Sequence, residues 1–254
     1  MNEFINTVSA TAKRGNEAGD SEPDMLRGPN DASWTLRERA TAVQRPGAEP
    51  YDGLLWRLQA RQAADANESM TLGITACERR AGTTTVAASL ALRAAELQLG
   101  PVLLVESNRR GSWLTKKWGL REGPGLAQLL AGEASYVECL QGGPAPQLEV
   151  ITAGLVGRGE VGLLEPGAVE ALMAEACADH RIVLFDLPAA DELNQMLLVA
   201  KQLDQVLMVV RSDSTRKGDA ERFGEQLLDD GAPFVGIVLN RQRNYIPRLL
   251  RRWL

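Results

Sequence analysis

The sequence predicts an α/β fold, a doubly wound and mostly parallel sheet with helices on both faces. Apolar segments rich in Val, Ile and Leu, such as residues 71–76, 182–186 and 205–210, alternate with longer segments of helical periodicity. Strands without a polar face are typical of parallel sheets that are covered on both sides. In such folds ligands bind at the carboxyl ends of the strands, so we expect a functional site there.

The other predicted elements follow one another along the chain. A helix over residues 51–64 comes first, because Leu54, Leu55, Leu58 and Ala60 lie with Trp56 at roughly helical spacing. Further strands are predicted over residues 102–105, 148–152 and 234–239, and further helices over residues 84–97, 167–179, 192–202 and 217–229. One main domain is expected, since 254 residues with 44% hydrophobic content can bury one substantial core.

Composition divides the chain into three regions. Residues 1–48 are rich in Ala, Glu, Arg, Asn, Gly and Pro and have little periodicity, so we expect a flexible, disordered arm with one short helix over residues 34–43. Residues 49–245 form the domain, and residues 246–254 form a basic amphipathic tail.

Charge and cysteine content exclude several classes of protein. A net charge of -5 and a pI near 5.2 argue against a general nucleic-acid binder, which needs a broad basic surface. Cys77, Cys139 and Cys177 share no metal-like spacing with His180, so neither a zinc site nor a disulfide framework is indicated. Because the sequence has no signal peptide and no long apolar span, we expect a cytoplasmic protein.

Residues 74–91 have the outline of a phosphate-binding strand, loop and helix. In the pattern G-x-x-x-x-G-K-[ST], backbone N–H groups surround the phosphates, the Lys contacts them and the hydroxyl binds Mg²⁺. Gly82 occupies the second glycine position and Thr84 the hydroxyl position, but Thr83 replaces the lysine. Arg79 and Arg80 begin the loop, where their guanidinium groups either replace the lysine or stay solvated. The sequence therefore predicts a P-loop NTPase-like domain in which binding of ATP and Mg²⁺ is weak or absent.

Four polar residues have two interpretations each. Thr83, Thr84 and Thr85 either contact a nucleotide or its Mg²⁺, or form a favourable helix N-terminus through hydroxyl capping. Asp186 follows the buried segment Val-Leu-Phe, where a carboxylate is costly unless it faces a ligand or caps the adjoining loop.

Seven segments match one family pattern. They read EPYDGLL (49–55), ACERRAGTTTVAASLA (76–91), LVESNRRGS (104–112), GLAQLLAGE (125–133), IVLFDLP (182–188), DQVLMVVR (204–211) and GIVLN (236–240). Together they resemble the cytoplasmic domain of bacterial tyrosine kinases (BY-kinases), which work with membrane chain-length regulators of capsule and exopolysaccharide export. The resemblance covers about residues 49–245 and extends to the wider P-loop group of Min-type and Par-type ATPases.

The resemblance implies roles for individual residues. Glu106 and Asn108 correspond to the two aspartates of the second acidic strand, and Asp186 to the acid of the strand V-I-I-D-T-P-P. Thr84, Glu106 and Asp186 would hold Mg²⁺, and the two acids would be catalytic in an active protein. Asn108 carries no charge, which weakens this site. Asn240 corresponds to a residue that touches adenine, although an Asn after a strand is also a common turn former.

Two features of active family members are missing. The family carries a cluster of C-terminal tyrosines that a neighbouring subunit phosphorylates, whereas Tyr245 is the one tyrosine in that region here. Asp52 and Leu55 replace arginines of the leading helix that help ring assembly. Trans-autophosphorylation is therefore not supported, and homo-oligomerisation is left open.

The C-terminal residues 241–254 are basic, opposite in charge to the whole chain. Arg248, Arg251, Arg252 and Trp253 form a candidate contact with an anionic membrane or an acidic partner. A solvated end that packs locally is the alternative.

Three functional hypotheses follow. The first is a catalytically impaired, pseudokinase-like member of the polysaccharide-export group, cytoplasmic or peripheral at the inner membrane, that acts as a regulatory partner of a membrane chain-length regulator. The second is an active ATP-dependent tyrosine kinase or ATPase in which Arg79 or Arg80 replaces the lysine. The third is a Min-like or Par-like positioning ATPase whose basic tail contacts the membrane.

Overall fold

The computed structural model describes residues 8–10, 48–62, 69–108, 113–155 and 167–241. The helix predicted over residues 34–43 and the basic tail, with Arg248, Arg251, Arg252 and Trp253, lie outside the described residues. Within the described ranges, no helix is long and apolar enough to cross a membrane.

One sheet organises the described part of the chain. Its strands are β1 (Val8–Ala10), β2 (Met70–Ala76), β3 (Val102–Glu106), β4 (Leu140–Gly142), β5 (Leu148–Ile151), β6 (Ile182–Ala189), β7 (Gln205–Arg211) and β8 (Phe234–Asn240). They are ordered β1-β8-β7-β2-β6-β3-β5-β4, and β4 pairs antiparallel with β5 while the other neighbours pair in parallel. The predicted doubly wound, mostly parallel sheet is confirmed.

Helices connect these strands and cover both faces. They are α1 (Ala48–Arg61), α2 (Thr83–Glu96), α3 (Trp113–Trp118), α4 (Leu126–Leu130), α5 (Tyr136–Cys139), α6 (Ala168–Asp179), α7 (Leu197–Gln202) and α8 (Lys217–Asp229), with a 3₁₀ turn over Leu193–Met196 before α7. On one face Leu104 and Leu184 pack with α1, α2 and α3. On the other face Val105 and Phe185 pack with α6, α7 and α8. Successive strand residues point to opposite faces, so both layers take their core from the same strands.

The leading helix α1 is fixed to α2 by apolar packing and one ion pair. Leu54, Leu55 and Leu58 are buried, whereas Trp56 on the opposite side is 60% exposed. Arg93 of α2 donates through Nε and Nη2 to the two carboxylate oxygens of Asp52. Paired N–H donors aligned on a carboxylate give a geometrically specific contact.

Several short elements were not predicted. The helices α3, α4 and α5 and the edge strand β4 are each six residues or fewer, too short for hydrophobic periodicity to identify. The strand β1 lies inside the segment for which the sequence predicted a flexible arm, and it pairs in parallel with Val238–Asn240. The helix predicted over residues 192–202 is divided into the 3₁₀ turn and α7.

Candidate functional site

The candidate site lies where β2, β3 and β6 end. The loop over residues 77–82 leaves β2 and leads into α2 at Thr83. Glu106 is the last residue of β3, and the strand register places it opposite Asp186 of β6. The Thr84 hydroxyl donates a hydrogen bond of 2.6 Å to Oδ2 of Asp186. The fold therefore brings Thr84, Glu106 and Asp186 together, as expected for parallel strands that share one carboxyl edge.

Burial changes the protonation of both acids. Asp186 is completely buried, and loss of hydration raises its pKa to about 8, against the lowering effect of the Thr84 hydrogen bond. The nearby Glu106 charge raises the pKa of Asp186 further. Loss of hydration also raises the pKa of Glu106 to about 7, although the backbone N–H groups of Leu114, Ala153 and Trp113 favour its charged form. Two acids with raised pKa values, side by side on adjacent strands, are typical of a ligand site.

One oxygen of each acid has no hydrogen-bond partner among the described residues. These atoms are Oε2 of Glu106 and Oδ1 of Asp186, both buried. Buried polar atoms in native proteins are normally paired, so an orphaned oxygen calls for a partner. Carboxylate and hydroxyl oxygens are the ligands that Mg²⁺ takes, and Thr84, Glu106 and Asp186 therefore fit the ion. Bound Mg²⁺ would supply positive charge against the oxygens of a phosphate.

Gly82 is required by the geometry of the loop. Its φ is 99°, and a Cβ atom there would lie 2.2 Å from Nδ2 of Asn240. Asn240 itself is buried, donates from Nδ2 to the Ala81 carbonyl at 2.7 Å and accepts at Oδ1 from the backbone N–H of Arg241. The Asn240 side chain thus supports the loop backbone, and its contact with adenine stays a prediction.

Thr83 begins α2 at the position of the missing lysine. Its side chain carries no charge, and the residue before it, Gly82, caps the helix without a side-chain hydrogen bond. The Thr84 hydroxyl is engaged by Asp186, while Thr85 is exposed. Of the two interpretations of the threonines, this geometry favours a site role for Thr84.

The loop arginines differ in their surroundings. Arg79 donates from Nε to Oδ2 of Asp191 at 2.8 Å and from Nη2 to Oε1 of Glu192 at 2.6 Å. Arg80 is exposed and has a positive φ of 61°, and its carbonyl accepts a hydrogen bond from Nη2 of Arg241. Sequence analysis missed Asp191, Glu192 and Arg241, because no motif spacing links them to the loop.

Two further side chains hold the loop from the β7 side. The hydroxyls of Ser214 and Thr215, which follow β7, both donate to Oε1 of Glu78. Ser107, directly after Glu106, donates from its backbone N–H and its hydroxyl to the Asp186 carbonyl. Residues at or after the ends of β6, β7 and β8 therefore hold the loop, and Ser107 links the ends of the two strands that carry the acids.

The relatives that sequence comparison gives are named tyrosine-protein kinases or putative tyrosine-protein kinases. The chain is 26% identical over 162 residues to tyrosine-protein kinase YwqD of Bacillus subtilis (strain 168), which covers 64% of this chain and 68% of YwqD. It is 24% identical over 177 residues to tyrosine-protein kinase CpsD of Streptococcus agalactiae serotype III (strain NEM316), covering 68% of this chain and 75% of CpsD. A match to EpsB of Ralstonia nicotianae is 31% identical over 140 residues but spans only 18% of EpsB. No family model matches the chain.

Solved structures agree on the fold. The kinase domain of Escherichia coli tyrosine kinase ETK superposes with a TM-score of 0.74 at 21% identity, over 87% of this chain and 89% of that domain. The septum site-determining protein MinD of Pyrococcus horikoshii OT3, solved with Mg-ADP, superposes with a TM-score of 0.59 at 21% identity, over 72% of this chain and 76% of MinD. The chain is thus similar in sequence to bacterial tyrosine-protein kinases, and it has the P-loop fold of the ETK kinase domain and of MinD.

Proposed function

We propose that this protein is a catalytically impaired relative of the polysaccharide-export tyrosine kinases that binds Mg-nucleotide weakly or not at all. The observation that carries the proposal is Thr83, an uncharged residue at the loop position that normally supplies a lysine. Phosphoryl transfer depends on positioning and on stabilising the charge of the phosphate oxygens. Loss of one such stabiliser commonly reduces turnover by about a hundredfold to a thousandfold.

The remaining parts of the site support a nucleotide-like ligand rather than an unrelated function. Thr84, Glu106 and Asp186 keep the oxygen ligands for Mg²⁺, and Gly82 keeps the loop conformation. Arg79, the cation that could replace the lysine, is held by Asp191 and Glu192. The positive charge of Arg79 is therefore already paired with two acids, which weakens its contribution to phosphate binding.

A regulatory partnership is the function that this combination favours. We place the protein at the cytoplasmic face of a capsule or exopolysaccharide export complex, as a partner of a membrane chain-length regulator. Support comes from the family resemblance, whose members work with such regulators. The basic tail, with Arg248, Arg251, Arg252 and Trp253, is a second candidate contact with the partner or the inner membrane.

An active kinase or ATPase is the alternative, and the acid pair favours it. The orphaned oxygens of Glu106 and Asp186 leave a magnesium site available for catalysis. In this case Asp186→Asn abolishes turnover, because a neutral amide replaces a charged metal ligand. Wild-type turnover no higher than that of Asp186→Asn would exclude the alternative.

Calorimetric titration with Mg-ATP, together with assays of ATP hydrolysis and tyrosine phosphorylation, tests the main proposal. We expect a dissociation constant of millimolar order or no measurable heat, and no turnover. Micromolar binding accompanied by hydrolysis or phosphorylation would contradict the proposal. Co-purification with the cytoplasmic part of a chain-length regulator encoded near the gene tests the proposed partnership.

A further inference from the structure

The loop over residues 77–82 contains an arginine, Arg79, whose positive charge is neutralised by two acids of the same chain. Arg79 lies three residues before Gly82, and its guanidinium makes two ion pairs with consecutive residues, Asp191 at 2.8 Å and Glu192 at 2.6 Å. Both acids belong to the turn that follows β6, the strand that carries Asp186. Two carboxylates therefore bind Arg79 in the same two-point manner in which a guanidinium binds a phosphate group.

Solvent exposure makes this contact exchangeable. The side chains of Arg79 and Asp191 are 46% and 53% exposed, and that of Glu192 is 24% exposed. Ion pairs between solvent-exposed side chains are weak, so another anion of higher charge can displace them. A nucleotide phosphate seated on the loop would be such an anion, because it carries up to two negative charges and three acceptor oxygens.

We propose that Asp191 and Glu192 form an acidic latch that withholds Arg79 from the loop, and that the terminal phosphate of a nucleotide competes with this latch for the guanidinium. Arg79 is then the phosphate-binding residue that stands in for the missing lysine, and the latch sets how weakly the loop binds. This inference rests on the proposed function, because it assumes that the loop is a weakened nucleotide site.

The loop is built so that Arg79 can change partner without unfolding it. Glu78 is held separately by Ser214 and Thr215, and the carbonyls of Arg80 and Ala81 are held by Arg241 and Asn240. Release of the Arg79 side chain leaves these backbone and side-chain contacts in place. The latch therefore controls a side chain and does not control the loop conformation.

The test is Mg-ATP titration of the full chain carrying Asp191→Asn and Glu192→Gln. We expect the double variant to bind about three- to tenfold more tightly than wild type, since two weak ion pairs no longer compete. Adding Arg79→Ala to the double variant should remove this gain. The single variants, each with an intermediate gain, keep the test usable if the double variant is unstable by urea unfolding.

A matched control separates the latch from a general charge effect. Asp229→Asn with Asp230→Asn also removes two negative charges, but at the end of α8 that faces away from the strand carboxyl ends. Screening at physiological ionic strength should limit its effect on affinity to less than about twofold. An equal gain in this control, no gain in the latch variant, or a gain that survives Arg79→Ala would each overturn the latch. Wild-type affinity and turnover, measured in the same series, decide the proposed function independently.

Discussion

Replacing Asp186 by Asn tests the central electrostatic feature of the site, a carboxyl group with no exposure to solvent. The pKa of this group is about 8 in the folded protein, against an ordinary value of 3.8. Burial of the charged form causes the shift, because a carboxylate loses its hydration and gains only the Thr84 hydroxyl in return. Protonation of Asp186 therefore stabilises the folded protein relative to the unfolded chain.

The sign and size of the effect follow from this shift. Since the pKa is raised on folding, the stability that Asp186 contributes is fully present below about pH 4 and is lost as the pH rises towards 8. Between about pH 5 and about pH 7 the loss should be about 1.4 kcal/mol per pH unit, or roughly 3 kcal/mol in total, as an upper bound. Asn does not titrate. Between about pH 5 and about pH 7, the free energy of unfolding of Asp186→Asn should therefore rise by about 2 to 3 kcal/mol relative to that of wild type.

Urea unfolding is followed by tryptophan fluorescence with a metal chelator present. It measures, at each pH, the difference in the free energy of unfolding between Asp186→Asn and wild type. Asp213→Asn is the matched control, because Asp213 is on the surface and its hydrogen bond with Arg211 lowers its pKa. The contribution of Asp213 is lost only as the pH falls into the acid range, so the control difference should stay constant between about pH 5 and about pH 7. A constant difference for Asp186→Asn, within about 0.5 kcal/mol, would refute the argument that burial controls this acid.

Three further predictions concern the loop and the core. Thr83→Lys should tighten Mg-ATP binding by about tenfold or more in calorimetric titration, because it restores a point charge beside the terminal phosphate; unchanged affinity would show that other features limit binding. Gly82→Ala should weaken binding and destabilise the fold by at least about 1 kcal/mol, since φ is positive and the new Cβ would collide with Asn240; a variant with wild-type stability would contradict the loop geometry. Leu55→Ala should lower the free energy of unfolding by about 3 kcal/mol because Leu55 is 1% exposed, whereas Trp56→Ala on the opposite side should change it by less than about 1 kcal/mol.

Much of the site could be predicted from local pattern. Gly82 ends the loop, Thr84 lies in the first turn of α2, and Glu106 at the end of β3 is opposite Asp186 of β6, so parallel topology brings these residues to the same end of the sheet. The hydroxyl position was recognisable because its spacing from Gly82 is set by the turn into a helix.

The partners of Arg79 could not be predicted in this way. Asp191 and Glu192 are 112 and 113 positions further along the chain, and they reach the loop only because β6 lies beside β2. A guanidinium in a loop has the same sequence signature whether it is solvated, paired with acids or bound to phosphate. For the same reason the support that Asn240 gives to Ala81 was not visible before the strands were placed.

Sequence alone determined the layered α/β architecture and the defect at position 83, because both depend on residue type and short-range spacing. The tertiary structure decided which charges meet: Asp186 became a buried acid facing Thr84 and Glu106, and Arg79 became a cation already neutralised by Asp191 and Glu192. Hydration and Coulomb energies depend on distance in space and on burial, and neither quantity exists until the chain has folded.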